Sequence, residues 1–322
     1  MRNSDNDNNG LIDSSNSDLG FKVDDANSYN PVVGLFDKYS ERFTTHMPTP
    51  MLEMANPPEN AKILDVGTGT GIIALSVAEN LNGQGSILGI DLSDGMLEFA
   101  RSKARQRKLG DQVEFRKMDA ENLELASETF DAALSLYALR HFPDPAKSVK
   151  EIFRVLKPGG NIVVAVGSRP PLISSAGLTA AVRRVGSFSR RMQGKELVAC
   201  EFIDTLVEKY LPEPVRKETA GWVGNRHGFS GSIKELVTEA GFTSVTSGWK
   251  GQYSMIDSPE DFWQIQMTFS SLARKRIANA DDETTKKLKS EFIESCERVL
   301  ERKGRLVYQT GAAIVGGMKP RR

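Results

Sequence analysis

Residues 63 to 71 read Ile-Leu-Asp-Val-Gly-Thr-Gly-Thr-Gly, setting Asp65 two positions ahead of three glycines at alternate positions, Gly67, Gly69 and Gly71, with Thr68 between the first two. Glycine reaches positive φ without a Cβ penalty and lets a ligand come close to the backbone. The helix formers of Ile72 to Leu81 follow at once. The unpaired N–H groups at a helix start would therefore face the same ligand. A second acid, Asp91, comes twenty-six residues after Asp65 and closes the apolar run Ser86 to Ile90. There it can accept hydrogen bonds from both hydroxyls of a ribose. A third, Asp119, follows Val113-Glu114-Phe115-Arg116-Lys117-Met118 and precedes Ala120. The chain has three histidines, His46, His141 and His227. Histidine titrates near neutrality and is the usual general base, so His141 and His227 are candidate bases, with His46 behind them.

These residues need elements to hold them. The glycine run reads as a strand, a tight turn and a helix, and its spacing differs from the dinucleotide fingerprint. Ser86 to Ile90, Val113 to Phe115, Phe130 to Leu136 and Asn161 to Val166 read as further strands, with a helix from about Pro145 to Leu156 and a turn at Lys157-Pro158-Gly159-Gly160. Strands alternating with helices indicate an α/β fold on a largely parallel sheet. Asn30 to Ala55 reads as a helical lead-in. After Val166 come an insertion at about 168–230 with an apolar helical stretch from Leu197 to Leu211, a helix at Gly231 to Ala240 and a strand from near Phe242. A helical insertion at about 258–303 and a last strand, Gly311 to Met318, complete the chain.

Asp65 to Gly71, Asp91 and Asp119-Ala120, in that order, resemble the sequence stations of class I S-adenosylmethionine-dependent methyltransferases. Asp37-Lys38-Tyr39, Leu139-Arg140 and Arg154-Val155-Leu156-Lys157-Pro158-Gly159-Gly160 are similar to the methyltransferases of ubiquinone and menaquinone biosynthesis. The resemblance covers roughly Asp37 to Val166. It implies a Rossmann-like, doubly wound sheet of seven strands, the last antiparallel, with the two insertions forming a helical cap that those enzymes lack. It also implies S-adenosylmethionine as cofactor and S-adenosylhomocysteine as product. The three glycines would lie against the methionine end, while Asp65 either accepts from the cofactor's amino group or orders the loop. Asp91 would hold the ribose, Leu92 and Met96 one face of the adenine, and Asp119 with Ala120 its amino edge. Ser135 would end the fourth strand near the methionine moiety. Tyr39 would either close over the methionine end or dock its helix, and Arg140, Trp222 and Trp263 are further substrate or gate candidates. The expected function is methyl transfer to a small, largely apolar phenol, quinol or secondary metabolite, at oxygen or carbon. The alternative is a cyclase-like enzyme or binding module that keeps the cofactor without transferring its methyl group.

The chain has 322 residues, 39% hydrophobic and 26% charged, with 42 basic residues balancing 42 acidic ones. Zero net charge argues against nucleic acid as a partner, since neutralising phosphates takes a basic surplus. Arg183-Arg184 with Arg190-Arg191 is a local exception, read as a solvated helix face. Two separated cysteines give no metal or redox spacing, and no metal is expected. There is no apolar run of membrane-spanning length, and cytoplasmic location is the default. A homodimer is left open. Residues 1–30 are rich in Asn, Asp and Ser and read as a disordered tail, with residues 31–320 as the methyltransferase domain. Removing residues 1 to 28 should then change nothing. Asp5 to Asn16 imitates a calcium loop but lacks its closing glutamate.

Overall fold

The computed structural model describes residues 22–23, 25–81, 84–168, 175–199, 201–211 and 232–321. Its centre is an eight-stranded mixed sheet: β1 (Lys62–Val66), β2 (Ser86–Asp91), β3 (Val113–Lys117), β4 (Phe130–Leu136), β5 (Leu156–Gly167), β6 (Glu196–Val198), β7 (Thr243–Ile256) and β8 (Arg305–Met318). The spatial order is β3-β2-β1-β4-β5-β8-β6, with β7 along the other edge of β8. Strands β1 to β5 run parallel, and β8 is antiparallel to β5 and β7.

Strand β1 is buried after its first residue, as a central parallel strand covered on both faces should be. Successive side chains point to opposite layers. Ile63 enters one apolar cluster with Met51, Leu75 and Val163, and Leu64 enters the other with Ile90, Ile152 and Val164. From β1 the chain winds outward through β2 and β3, then returns to β4 on the other side. That reversal opens a crevice beyond the carboxyl ends of β1 and β4.

Three differences from the sequence reading bear on the site. Residues 22–23 and 25–29 make helical turns instead of continuing the tail, and Asn30–Val32 and Val33–Thr44 extend them. The stretch read as one helix from Leu197 is split into β6 and the helix Glu201–Tyr210, because Glu196 to Val198 pair with Arg305 to Val307. Strand β8 begins at Arg305, not Gly311. Its first half is zipped to β7 from Leu306 to Gly311, so pairing partners override a segment interrupted by Gln309, Thr310 and Gly311.

The helices Pro259–Phe269, Ser271–Ala278 and Asp282–Glu301 stand beside Glu201–Tyr210. Ile203, Leu206, Phe262, Trp263, Phe292 and Val299 join Tyr39 and Phe43 in a third apolar cluster. Ser258 caps the first of these helices by accepting from Asp261 N–H, with Pro259 at its first position. The Asp37-Lys38-Tyr39 run acts as a bracket: the Asp37 carboxylate accepts from Lys103 on Asp94–Gln106, and the Tyr39 hydroxyl donates to Asp261 over 2.6 Å.

Candidate active site

At the end of β1, Gly67, Gly69 and Gly71 hold φ of 71°, 52° and 82°, a region closed to most side chains. A Cβ on Gly67 would stand 2.2 Å from that of Ala138, so this turn admits no larger residue. The N–H groups of Gly67 and Thr68 both donate to the Ile90 carbonyl at 2.9 Å, tying the loop to the tip of β2. Beneath the loop the buried Asp65 carboxylate accepts from Thr68 Oγ1 at 2.6 Å and Ala74 N at 3.2 Å. Burial pushes its pKa up to about 7 against those bonds, and the neighbouring Asp91 carboxylate adds to the rise. Asp91 accepts from Gly69 N at 2.9 Å and Ser93 N at 3.0 Å, and burial raises its pKa too.

The loop forms one wall of a cavity of about 420 Å³, within the range of small-molecule sites. Asp91, Leu92, Met96, Met118, Asp119 and Ala120 line it, and so do the rings of Tyr29, Phe36, Tyr137, Phe142, Phe269 and Tyr308. Phe36 meets Tyr29 and Phe269 edge-on at 5.6 Å between ring centroids, and Phe269 stacks on Tyr308 at 5.7 Å. Three polar atoms in residues of this wall are buried without a hydrogen-bond partner: Thr70 Oγ1, the Tyr137 hydroxyl and Thr310 Oγ1. Unsatisfied groups of this kind are costly unless a ligand completes them.

Residues 64–164 match the methyltransferase domain family. The chain is 33% identical over 162 residues to a demethylmenaquinone methyltransferase of Lactiplantibacillus plantarum, an alignment taking in 46% of this chain and 68% of that protein. To the demethylmenaquinone methyltransferase of Bacteroides fragilis it is 35% identical over 184 residues, covering 57% of this chain and 68% of that one. The chain belongs to the S-adenosylmethionine-dependent methyltransferases. This methyltransferase is also 25% identical over 207 residues to the aklanonic acid methyltransferase of Streptomyces sp., across 64% of its own length and 87% of the other's. S-adenosylmethionine is its cofactor, and the cavity suits such a ligand: glycine backbone, a carboxylate at each of two strand ends, and polar atoms awaiting partners.

The structure brings most of the residues singled out in the sequence around this cavity and sets others apart. Gly67, Thr68, Gly69, Asp65, Asp91, Leu92, Met96, Asp119, Ala120 and His141 line it. Gly71 stands behind, where a Cβ would meet Phe115 at 3.1 Å and Ala100 at 3.3 Å. Ser135 is buried outside the cavity wall and donates to the Val66 carbonyl at 2.9 Å, bracing the loop from below. Tyr39 is fully buried and stacks on Phe43, so it docks its helix instead of closing over the cavity. Trp263 is also out of reach, edge-on to Phe292 in the third apolar cluster. Arg140 is exposed on the turn Leu139–His141 and does not line the cavity. Trp222 and His227 lie outside the described residues.

Four further wall residues escaped the sequence reading. Lys22 Nζ sits 2.8 Å from Asp119 Oδ2 and 2.7 Å from Glu121 Oε2, so a cation covers the carboxylate expected to meet adenine. Burial opposes its charge, yet the hydrogen bonds to Asp119 and Glu121 hold its pKa above the ordinary value. Asp25 lies 3.5 Å from His141 Nδ1 and also accepts from Lys275 Nζ. Burial alone would raise the Asp25 pKa, but these two partners hold it far below the carboxylate range. Tyr29 meets the His141 ring edge-on at 6.1 Å. All three precede residue 30, where polar composition masked them. Tyr137 is the fourth: it takes φ of 59°, rare for a large residue, and burial pushes its phenol up to about 12. Its position directly after the fourth strand is the one signal the sequence offered.

Proposed function

We propose that the enzyme methylates a quinol or phenol, with the glycine loop, Asp91 and Asp119 holding the cofactor and aromatic residues of the wall holding the acceptor. S-adenosylmethionine, when bound, supplies an activated methyl group on a sulfonium. The protein's task is then to hold the acceptor atom in line with it, which removes the entropy cost of bringing them together. The observation that carries this reading is the wall itself: one cavity joins a glycine loop and the carboxylates of Asp91 and Asp119 to six phenylalanine and tyrosine rings with His141 among them. Planar aromatic acceptors fit stacked and edge-on rings.

His141 is the base in this reading. With Nδ1 turned to Asp25, the imidazole keeps Nε2 as the acceptor for an acidic hydroxyl. Asp25 is a positioning residue that fixes the tautomer and steadies the imidazolium. Tyr137, whose buried hydroxyl has no partner, would supply a hydrogen bond to the acceptor's oxygen. The similarity to demethylmenaquinone methyltransferases favours ring carbon as the methylated atom, and ionising the hydroxyl would raise electron density there too.

Methyl-labelled cofactor incubated with a panel of demethylated quinols and substituted phenols tests this, with the product resolved into C- and O-methyl compounds. The expected result is label on a quinol or phenol. His141→Ala should lower turnover roughly 10²-fold with cofactor binding preserved, and Asp25→Asn should shift the pH–rate profile. Label on no member of the panel, or full turnover in His141→Ala, would overturn it.

A further inference from the structure

The helix Ser175–Met192 in the first insertion turns an apolar stripe to solvent. Leu178, Val182, Val185, Phe188 and Met192 are each between 68% and 75% exposed. Their spacing of three or four residues sets them on one face of the helix. On β7, Tyr253 faces the same groove as Leu178 and Val182, and Met255, two residues along on the same strand face, is 57% exposed. The helix carries four arginines and no acidic residue, in a chain with no net charge. By helical spacing Arg184 and Arg191 lie beside the stripe, and Arg183 and Arg190 project from the opposite side of the helix. Arg183 lies over the Tyr253 ring, while Arg190 and Arg191 reach Glu196 and Glu201 at 2.6 Å and pin the helix to the body. Arg184 points outward.

We propose that this helix is a docking site for an anionic lipid surface, lying in the headgroup region with the stripe inserted and Arg184 and Arg191 at phosphate level. Interfacial helices combine an apolar face with a basic polar face in this way. Charge selects the occupant. A second copy pairing stripe to stripe would bring Arg184 and Arg191 of one copy toward those of the other, whereas anionic headgroups complement them. Among the described residues no helix is long and apolar enough to cross a membrane, so the contact is with the surface. The site also adjoins the cavity: Tyr253 pairs in register with Gln309, which lines it. An apolar acceptor dissolved in lipid would thus be met beside the cavity's own wall.

The test is flotation of the full chain with vesicles of phosphatidylcholine alone or mixed equally with phosphatidylglycerol, without cofactor, so that it stands apart from the methyl-transfer reading. Flotation is expected with mixed vesicles only, weakening with added salt. The double variant Val185→Glu/Phe188→Glu should lose at least about tenfold in partitioning, and Arg184→Gln about fivefold, both with unchanged melting temperature. No flotation, or equal flotation of wild type and double variant, would overturn the proposal. So would a double variant that converts a dimer to a monomer in sedimentation while floating normally, since the stripe would then belong to a second copy. A steep fall in its melting temperature would show the stripe covered within the chain, with the same consequence.

Discussion

Asp65 shows how a single buried carboxyl sets the properties of the glycine loop. It holds Thr68 and the first turn of the helix Ile72–Asn80, and burial keeps its pKa near 7, above the ordinary 3.8. A raised folded-state pKa means that the native state binds the extra proton. Its contribution to stability is complete below pH 3.8 and is lost as pH rises through about 7. The cofactor-free enzyme should therefore lose melting temperature across that window, and Asp65→Asn should flatten the fall. Parallel curves for the two proteins would contradict the assignment. At this scale much was legible: the glycines, Asp91 and Asp119 were identifiable because a ligand constrains residue type and spacing together. Tyr39 and Trp263 were not, because an aromatic side chain suits a packed core as well as a binding wall, and only the third dimension separates the two. Tyr137 was hidden for a different reason. Its distinction is a left-handed backbone, which a tyrosine does not advertise.

Among the elements, the segment before residue 30 changes the picture most. Composition argued for a tail throughout, since a stretch rich in Asn, Asp and Ser has little to bury. What holds residues 22–23 and 25–29 is chiefly ionic: Lys22 on Asp119 and Glu121, and Asp25 between His141 and Lys275. Pairing across nearly a hundred residues or more leaves no local periodicity to read. A chain lacking residues 1–30 should stay folded, because the described residues among them, 22–23 and 25–30, supply no strand to the sheet, yet lose roughly tenfold or more in turnover as His141 loses Asp25 and Tyr29. Turnover equal to wild type would show that the segment is a bystander. The parallel core was legible as elements, since buried strands and capped helices leave strong local signals. The short β6 and the early start of β8 were not, because each exists through its partner.

Over the whole molecule, the α/β order of the first five strands announces a crevice at the sheet's reversal, and aromatic side chains from the N-terminal lead-in, the loop after β4, the helix Pro259–Phe269 and β8 wall it. The Asp37-to-Tyr39 bracket and the third apolar cluster fasten the later helices to the sheet, so the cavity is walled by one packed body. The central claim is that this cavity holds S-adenosylmethionine with Asp91 on its ribose. Titration calorimetry of wild type and Asp91→Ala with S-adenosylmethionine tests it most directly. The account predicts one site per chain in wild type and an affinity loss of about 1.5–3 kcal/mol in the variant, the scale of hydrogen bonds to a charged group. Equal affinity in the two proteins, or no binding by wild type, would contradict it.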